Sequence, residues 1–209
     1  AFDFLKHGPQ HRAQQADGAW ERVEMREMMD SRWLIVGFGS IGSAVGKRVQ
    51  LLGGHVTGAR RSPGPAEGAD HIVPMALVKS ELAQADIVLL SLPLTDETAR
   101  MVDAEFLNAV RPDALLMNLG RGPLVDEAAL LAALDAGRPA FAALDVTVEE
   151  PLPKDSLLWH HPKVAVTPHD SAATAATYIR ADETFLDNLQ RYLAGEPLKH
   201  IVSPETFAD

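Results

Sequence analysis

A glycine-rich turn, Gly37-Phe38-Gly39-Ser40-Ile41-Gly42, directly follows the apolar run Trp33-Leu34-Ile35-Val36 and opens a segment with helical spacing. A G-x-G-x-x-G pattern between a strand and a helix is typical of a site for the pyrophosphate of a dinucleotide. The first glycine allows the tight turn, the second lets the phosphates approach the backbone, and the third lets the helix pack on the strand. The helix start at Ser40 and Ile41 offers free N–H groups to the phosphates. An ordinary glycine-rich turn is the structural alternative.

A second set of candidate residues, Arg60-Arg61-Ser62, follows the next strand-like run. NAD sites usually carry an acid about 20 residues past the glycines, where it binds the ribose hydroxyls. Arg60 occupies that place here. A ribose 2′-phosphate requires positive, bidentate donors and the absence of a carboxylate. The residues therefore predict NADP(H) in preference to NAD(H), and two solvated arginines on a surface turn are the alternative.

Strand-like and helix-like runs alternate from residue 32 onward. The predicted strands are 33–36, 55–57, 71–73, 87–91, 115–118, 140–144 and 164–166. Helices are predicted over 40–52, 76–83, 103–110, 126–135 and about 172–193. This alternation predicts an α/β fold, a Rossmann-type doubly wound parallel sheet with helices on both faces. In such a sheet, ligands bind beyond the carboxyl ends of the strands.

The sequence suggests three regions. Residues 1–31 are polar and irregular, which predicts a linker or arm with a short helix. Residues 32–194 form the predicted dinucleotide-binding domain, and residues 195–209 a C-terminal tail returning toward a substrate domain that is largely absent from this chain. Because the first residue is Ala1 and not methionine, we expect the chain to be a fragment or a processed product.

Composition excludes several classes of protein. The net charge of −10 argues against nucleic acid and anionic membrane surfaces as partners. With no cysteine, the chain has no disulfides, thiolate catalysis or cysteine-ligated metals, which fits the cytoplasm. The histidines and carboxylates show no metal-ligand spacing, so no metal is expected. No apolar stretch is long enough to span a membrane, and no signal pattern is visible at the N-terminus.

Five ordered motifs together resemble the D-isomer-specific 2-hydroxyacid dehydrogenase family over residues 33–175. The motifs are the glycine turn, Leu90-Ser91-Leu92-Pro93-Leu94-Thr95, Met117 to Asp126 (MNLGRGPLVD), Leu144-Asp145-Val146 leading to Glu149-Glu150-Pro151-Leu152, and Thr167-Pro168-His169. The resemblance implies hydride transfer between NADP(H) and a small 2-keto or 2-hydroxy acid. The double arginine is similar to that of NADP-preferring glyoxylate and hydroxypyruvate reductases.

The resemblance also implies site residues. The catalytic residues would be Arg121, Glu150 and His169. Asp145 would lie near the nicotinamide amide. The remaining positions implied to contact the cofactor are Leu92, Pro93, Asn118 and His169, in addition to the glycine turn and the arginines.

The chemistry of these three residue types suits ketone reduction. Negative charge develops on the carbonyl oxygen, so a positioned acid must deliver a proton, and histidine suits this role near neutral pH. A carboxylate such as Glu150 favours imidazolium and orients the ring. An arginine holds a carboxylate and the polarised oxygen through its planar fork. The alternatives are a turn arginine at Arg121, a solvated acidic pair at Glu149 and Glu150, and a structural histidine at His169.

A different class of function remains open beside the enzyme. A non-catalytic module that binds nicotinamide dinucleotide could sense redox state or recruit a partner. The presence of all three candidate catalytic residues argues against this module, because a pure binder needs no proton donor. We expect the isolated chain to bind NADP(H) but to reduce keto acids poorly. The resemblance further implies a homodimer, with residues 1–31 lying on the partner.

Overall fold

A parallel sheet forms the centre of the fold. The computed structural model describes residues 1–62 and 64–201, and within them lie seven strands: β1 (Arg32–Val36), β2 (His55–Arg60), β3 (His71–Pro74), β4 (Ile87–Leu90), β5 (Leu115–Asn118), β6 (Phe141–Leu144) and β7 (Val164–Val166). Their order is β3-β2-β1-β4-β5-β6-β7, and each neighbouring pair is parallel. The winding reverses between β1 and β4, which is where doubly wound sheets bind ligands. The predicted Rossmann-type α/β fold is confirmed.

The described residues also form seven helices, five of them near the predicted positions in the sequence. They are α1 (Phe2–Leu5), α2 (Gly8–Asp17), α3 (Ser40–Leu51), α4 (Val78–Leu82), α5 (Ala104–Ala109), α6 (Glu127–Asp135) and α7 (Ala175–Ala194), with short 3₁₀ turns at Met75–Leu77, Gly122–Leu124 and Leu157–Trp159. Aspartates are the N-cap residues of α5 and α6. Asp103 accepts a hydrogen bond from the N–H of Phe106 (2.8 Å), and Asp126 accepts one from Ala129 (3.1 Å). These caps satisfy donors that a helix start leaves free.

Two apolar clusters cover the two faces of the sheet. On one face Leu34 and Val88 pack with buried residues of α4, α5 and α6, including Phe106 and Leu130. On the other face Ile35 and Leu89 pack with residues of α1 and α3. Successive strand residues point to opposite faces, so strands covered on both sides are apolar throughout. All four residues of β4 are buried accordingly.

The N-terminal residues contact the core of the fold. Leu5 in α1 is 1% exposed and belongs to the cluster around Trp33. Arg26 donates its backbone N–H to the carbonyl of Leu5 (3.0 Å), and its guanidinium lies 4.9 Å from the ring centre of Phe4. The guanidinium also donates to the carbonyl of Asp113 at 2.9 Å. The sequence predicted an arm with a short helix, and this region contains α1 and α2.

The chain divides into two compact units, residues 1–168 and the segment that begins at His169. The second unit contains α7, whose start is capped by Thr174 and whose end is followed by Gly195 in the left-handed conformation. None of the residues in α7 is buried. Residues 202–209 of the predicted tail lie outside the described residues. Among the helices that are described, none has the length and apolar character needed to cross a bilayer.

Candidate functional site

The glycine turn between β1 and α3 has the shape that its motif requires. Gly37 has a φ of +93°, and a Cβ there would lie 2.6 Å from the backbone nitrogen of Leu92. At Gly42, a Cβ would come within 2.6 Å of the Gly37 carbonyl oxygen and 3.0 Å of Ile35. Both positions therefore exclude larger residues on steric grounds. At Gly39, a Cβ would meet no atom within 4 Å, so space for a ligand remains above the turn.

Helix α3 presents an uncapped start to the same space. Gly39 is the N-cap residue and makes no side-chain hydrogen bond to the first turn. The first N–H groups of a helix have no intrahelical acceptor, and the helix dipole adds positive potential there. Ser40 and Ile41 are both exposed. This end of the helix can therefore accept an anionic group from solvent.

A cavity of about 700 Å³ lies over the carboxyl ends of β1, β2 and β4. The volume is in the range of small-molecule sites, roughly 300–1,000 Å³. It brings together three segments that are far apart in sequence. Seven of the predicted cofactor-binding residues line it: Gly37, Gly39, Arg60, Arg61, Ser62, Leu92 and Pro93.

The two arginines at the end of β2 have different surroundings. Arg60 is half-buried and donates from Nη2 to the carbonyls of Gly64 (2.9 Å) and Pro65 (3.4 Å). Arg61 and Ser62 are exposed. Among the described residues that line the cavity, the carboxylate is Glu97, which follows β4 and not β2.

Asn118 is the last residue of β5 and Arg121 lies in the loop that follows, and neither residue lines this cavity. The side chain of Asn118 is fully buried and forms hydrogen bonds with the backbone of the following loop. Its Nδ2 donates to the carbonyl of Arg121 (2.9 Å), and its Oδ1 accepts from the N–H of Gly120 (3.0 Å). The Arg121 side chain is exposed, and its Nη1 donates to the carbonyl of Gly120 (2.7 Å). The buried amide therefore shapes the backbone that carries the guanidinium.

Asp145 and Thr167 connect the ends of β6 and β7. Asp145 is 5% exposed, and the hydroxyl of Thr167 donates a short hydrogen bond to its Oδ1. The backbone N–H of Asp145 donates to the carbonyl of Asn118 (3.1 Å), which continues the ladder from β5. The carboxylate is thus held at the strand edge beside the Asn118 loop.

Glu150 lies at the end of a tight turn that follows β6. Its Oε1 accepts a hydrogen bond from the backbone N–H of Thr147 (3.1 Å). The Thr147 hydroxyl donates to the carbonyl of Glu149 (2.8 Å). Both glutamates are exposed, although Thr147 is buried. The turn therefore presents the Glu150 carboxylate at the surface with one oxygen oriented by its own backbone.

His169 is the first residue of the second unit and follows Thr167-Pro168 directly. It is exposed, and its φ of +53° lies in the left-handed region, which is uncommon for a residue with a side chain. Arg121 and Glu150 belong to the first unit. The catalytic grouping of all three residues remains a prediction.

Comparison with known proteins identifies the family. The family described as "D-isomer specific 2-hydroxyacid dehydrogenase, NAD binding domain" matches residues 1–171. The chain belongs to this family.

Individual relatives agree with the family match. Glyoxylate/hydroxypyruvate reductase B of Pectobacterium carotovorum is 37% identical over 205 residues, covering 90% of this chain and 63% of that protein. D-3-phosphoglycerate dehydrogenase of Mycobacterium tuberculosis is 38% identical over 162 residues, covering 78% of this chain and 30% of that protein. A D-isomer specific 2-hydroxyacid dehydrogenase from Xanthobacter autotrophicus, crystallised with NADPH and MES, superposes with a TM-score of 0.87 at 36% identity, covering 99% of this chain and 84% of that chain. The chain therefore spans less than two thirds of these two curated relatives.

Two residues of this dehydrogenase domain to which the sequence alone assigned no role, Gly122 and Glu127, hold the candidate loops in place. Gly122 packs directly on the backbone of Thr147, so the loop of Arg121 touches the turn of Glu150. Glu127, in the first turn of α6, accepts the N–H of Val148 at 2.7 Å. The signal in the sequence for these contacts is that the segments of Arg121 and Glu150 follow neighbouring strands, β5 and β6. Within the described parts of the chain, no group of three or more histidines and carboxylates is placed to hold a metal.

Proposed function

We propose that this domain binds NADP(H) and takes part in the reduction of small 2-keto acids, with glyoxylate and hydroxypyruvate as the substrate class to test first. The observation that carries this proposal is the shared cavity, which joins the glycine turn to Arg60, Arg61 and Ser62. The relative from Xanthobacter autotrophicus was crystallised with NADPH, which supports the cofactor assignment. The double arginine supports glyoxylate or hydroxypyruvate over 3-phosphoglycerate only through its likeness to NADP-preferring reductases.

The residues present fit a dinucleotide with a 2′-phosphate. The open space at Gly39 would allow a pyrophosphate to approach the backbone, and the N–H groups at the start of α3 would donate to it. Two acids near the arginines are engaged elsewhere. Glu67 pairs with Lys47 (2.7 Å), and Asp70 accepts from the backbone N–H of Val56 (2.7 Å). Neither acid lines the cavity that contains the arginines.

Arg121, Glu150 and His169 supply the groups that ketone reduction requires. The bound nicotinamide would supply hydride to the substrate carbon. Arg121 is exposed and can hold the substrate carboxylate and the carbonyl oxygen with its fork. His169 would deliver the proton to that oxygen, and Glu150 would favour the charged imidazole. Asp145 is held by Thr167 and would orient the nicotinamide amide.

Binding and turnover are tested separately. Fluorescence titration of the 209-residue chain with NADPH and with NADH should give tighter binding of NADPH, and tighter binding of NADH would contradict the cofactor proposal. NADPH oxidation with glyoxylate or hydroxypyruvate should be detectable at high protein concentration. His169→Gln should abolish this oxidation and leave the NADPH dissociation constant within about twofold, since the side chain acts on the proton and not on the phosphates.

The outcome also separates an enzyme from a non-catalytic module. A chain that binds NADPH tightly, shows no turnover with either acid even when joined to a complete substrate domain, and is unaffected by His169→Gln would be a sensor or recruiting module. Turnover that His169→Gln abolishes would identify an enzyme. Full activity of the isolated chain would contradict the expectation that it reduces keto acids poorly.

The proposal includes a homodimer in the cytoplasm. Trp20 is 99% exposed, and a cavity of about 730 Å³ beside it is lined by residues of α2 and of the segment 18–25. An aromatic side chain left in water next to a cavity is typical of a contact with another protein. Light scattering should therefore give twice the mass of one chain, and Trp20→Ala should shift the mass toward the monomer. A monomeric wild type would contradict this part of the proposal.

A further inference from the structure

The two arginines at the end of β2 differ in which N–H groups they have left for a ligand. Nη2 of Arg60 donates to the carbonyls of Gly64 and Pro65. Its Nε is buried and has no hydrogen-bond partner among the described residues. The edge of the guanidinium formed by Nε and Nη2 therefore faces the protein, and Nη1 is the remaining nitrogen.

A phosphate bound by one arginine usually takes two parallel N–H donors from one edge of the guanidinium. Arg60 cannot offer its Nε–Nη2 edge without breaking the two bonds to its own loop. Its charge still adds to the positive potential of the cavity, which it lines. Its side chain ties the end of β2 to the backbone of Gly64 and Pro65, because one nitrogen donates to both of their carbonyls.

Arg61 has the opposite surroundings. It is exposed and lines the same cavity, beside the exposed Ser62. No hydrogen bond or ion pair of its side chain is found within the described residues, so its guanidinium donors are not committed to that part of the chain. A serine hydroxyl next to it adds a further donor that can reach a phosphate oxygen.

We propose a division of roles, in which Arg61 with Ser62 binds the 2′-phosphate and Arg60 braces the loop that carries them. This inference rests on the proposed binding of NADP(H) and names the residue that sets its specificity. Selection between NADP(H) and NAD(H) then depends on Arg61. Arg60 instead affects both cofactors, because a loosened loop disturbs the adenosine side of the site whichever ribose is bound.

The test measures binding, so it does not depend on turnover. The dissociation constants of NADPH, NADH, 2′-AMP and 5′-AMP are compared for the wild type, Arg61→Ala, Arg61→Lys and Arg60→Ala by titration calorimetry. Arg61→Ala should weaken NADPH and 2′-AMP by about 10- to 100-fold and leave NADH within about twofold, since the lost contact is a charged hydrogen bond to phosphate. Arg61→Lys should give NADPH and 2′-AMP dissociation constants between those of the wild type and Arg61→Ala, because lysine keeps the charge but lacks the paired N–H donors of the guanidinium.

Arg60→Ala provides the matched comparison. It should weaken NADPH and NADH by similar factors and so leave the ratio of the two dissociation constants near that of the wild type. A collapse of this ratio in Arg60→Ala, with the ratio retained in Arg61→Ala, would overturn the division of roles. A wild type that does not distinguish 2′-AMP from 5′-AMP would overturn the NADP(H) proposal itself, and this inference with it. Circular dichroism of each variant shows whether the fold is retained.

Discussion

Gly122 and Thr147 touch through their backbones: a Cβ on Gly122 would lie only 1.9 Å from the carbonyl oxygen of Thr147. Gly122 follows Arg121, and the N–H of Thr147 orients the Glu150 carboxylate. The loop after β5 and the turn after β6 are thus packed as one surface. A displacement at this contact would move two of the three candidate catalytic side chains.

Replacing Gly122 by alanine should separate these loops. Since the added carbon meets backbone atoms that cannot rotate away, we expect a loss of about 1–3 kcal/mol in the free energy of unfolding. Turnover should fall further than stability explains, and NADPH affinity should change by less than about threefold, because the cavity proposed to hold the cofactor lies elsewhere. Urea unfolding and NADPH titration measure both. An unchanged urea midpoint would show that the two loops can part without cost.

Asn118 should be needed for the shape of the Arg121 loop. Asn118→Leu removes a buried donor and a buried acceptor and leaves the Gly120 N–H and Arg121 carbonyl unpaired. The expected cost is about 2–4 kcal/mol in unfolding free energy. Asn118→Asp keeps the acceptor for Gly120 but sets a second acceptor against the Arg121 carbonyl and buries a charge, so at neutral pH it should cost at least as much as the leucine variant in urea unfolding, and less once the carboxyl is protonated. A cost of the aspartate variant that does not fall at low pH would contradict the pairing of Nδ2 with the Arg121 carbonyl.

Alanine substitutions at Gly39 and Gly42 should have different effects, the first on NADPH affinity and the second on the free energy of unfolding. Alanine at Gly39 meets nothing within 4 Å and has an ordinary extended backbone, so Gly39→Ala should fold normally and weaken NADPH by about tenfold or more, through a clash with the phosphates. Gly42→Ala instead meets the Gly37 carbonyl oxygen and should lower the unfolding free energy by about 1–3 kcal/mol. Thermal melts and NADPH titrations of both variants check this. A Gly39→Ala variant with wild-type affinity would contradict the placement of the pyrophosphate.

Asp126 should contribute stability that disappears in acid. The backbone N–H of Ala129, and then the Arg100 side chain, hold the pKa of this carboxyl below its ordinary value. With a folded-state pKa below the unfolded one, the contribution is complete above the ordinary aspartate pKa and is lost as the pH falls through the folded value. Asp126→Ala should therefore cost about 1 kcal/mol at neutral pH, as a lost helix cap.

Urea unfolding at several pH values measures this difference, which should shrink progressively below about pH 4. Asp126→Asn, which keeps a capping oxygen, should show a smaller and less pH-dependent loss. A cost for Asp126→Ala that stays constant down to the lowest pH studied would contradict the assignment.

The N-terminal residues should stabilise the first unit. Leu5 is 1% exposed, so Leu5→Ala should cost about 2–5 kcal/mol in unfolding free energy, through lost burial and the remaining cavity. Phe2, in the same short helix, is 53% exposed, and Phe2→Ala should cost much less. Thermal unfolding of the two variants gives the comparison. Equal small losses would mean that this segment is not part of the cooperative unit.

Local patterns in the sequence were sufficient to predict the parallel sheet. All seven strands fall near the predicted positions, because doubly covered strands must be apolar and because helical spacing separates them. The spacing of Gly37, Gly39 and Gly42 predicted a tight turn, an approach for phosphates and close packing of helix on strand, because these steric constraints act between residues close in sequence. The N-terminal helices were not predicted at these positions, because α2 is polar and Leu5 is stabilised by distant residues such as Trp33.

The sequence by itself determined the residue types at each strand end and, through parallel pairing, the edge of the sheet at which they gather. Only the tertiary structure decided which contacts these residues make. Arg60 donates to the backbone of its own loop, the buried Asn118 side chain donates to the Arg121 carbonyl, and Gly122 packs on the backbone of Thr147. The reason is physical. Strand order and apolar patterning are set by short-range preferences repeated along the chain, whereas the direction of a polar side chain depends on acceptors supplied by segments that meet only after folding.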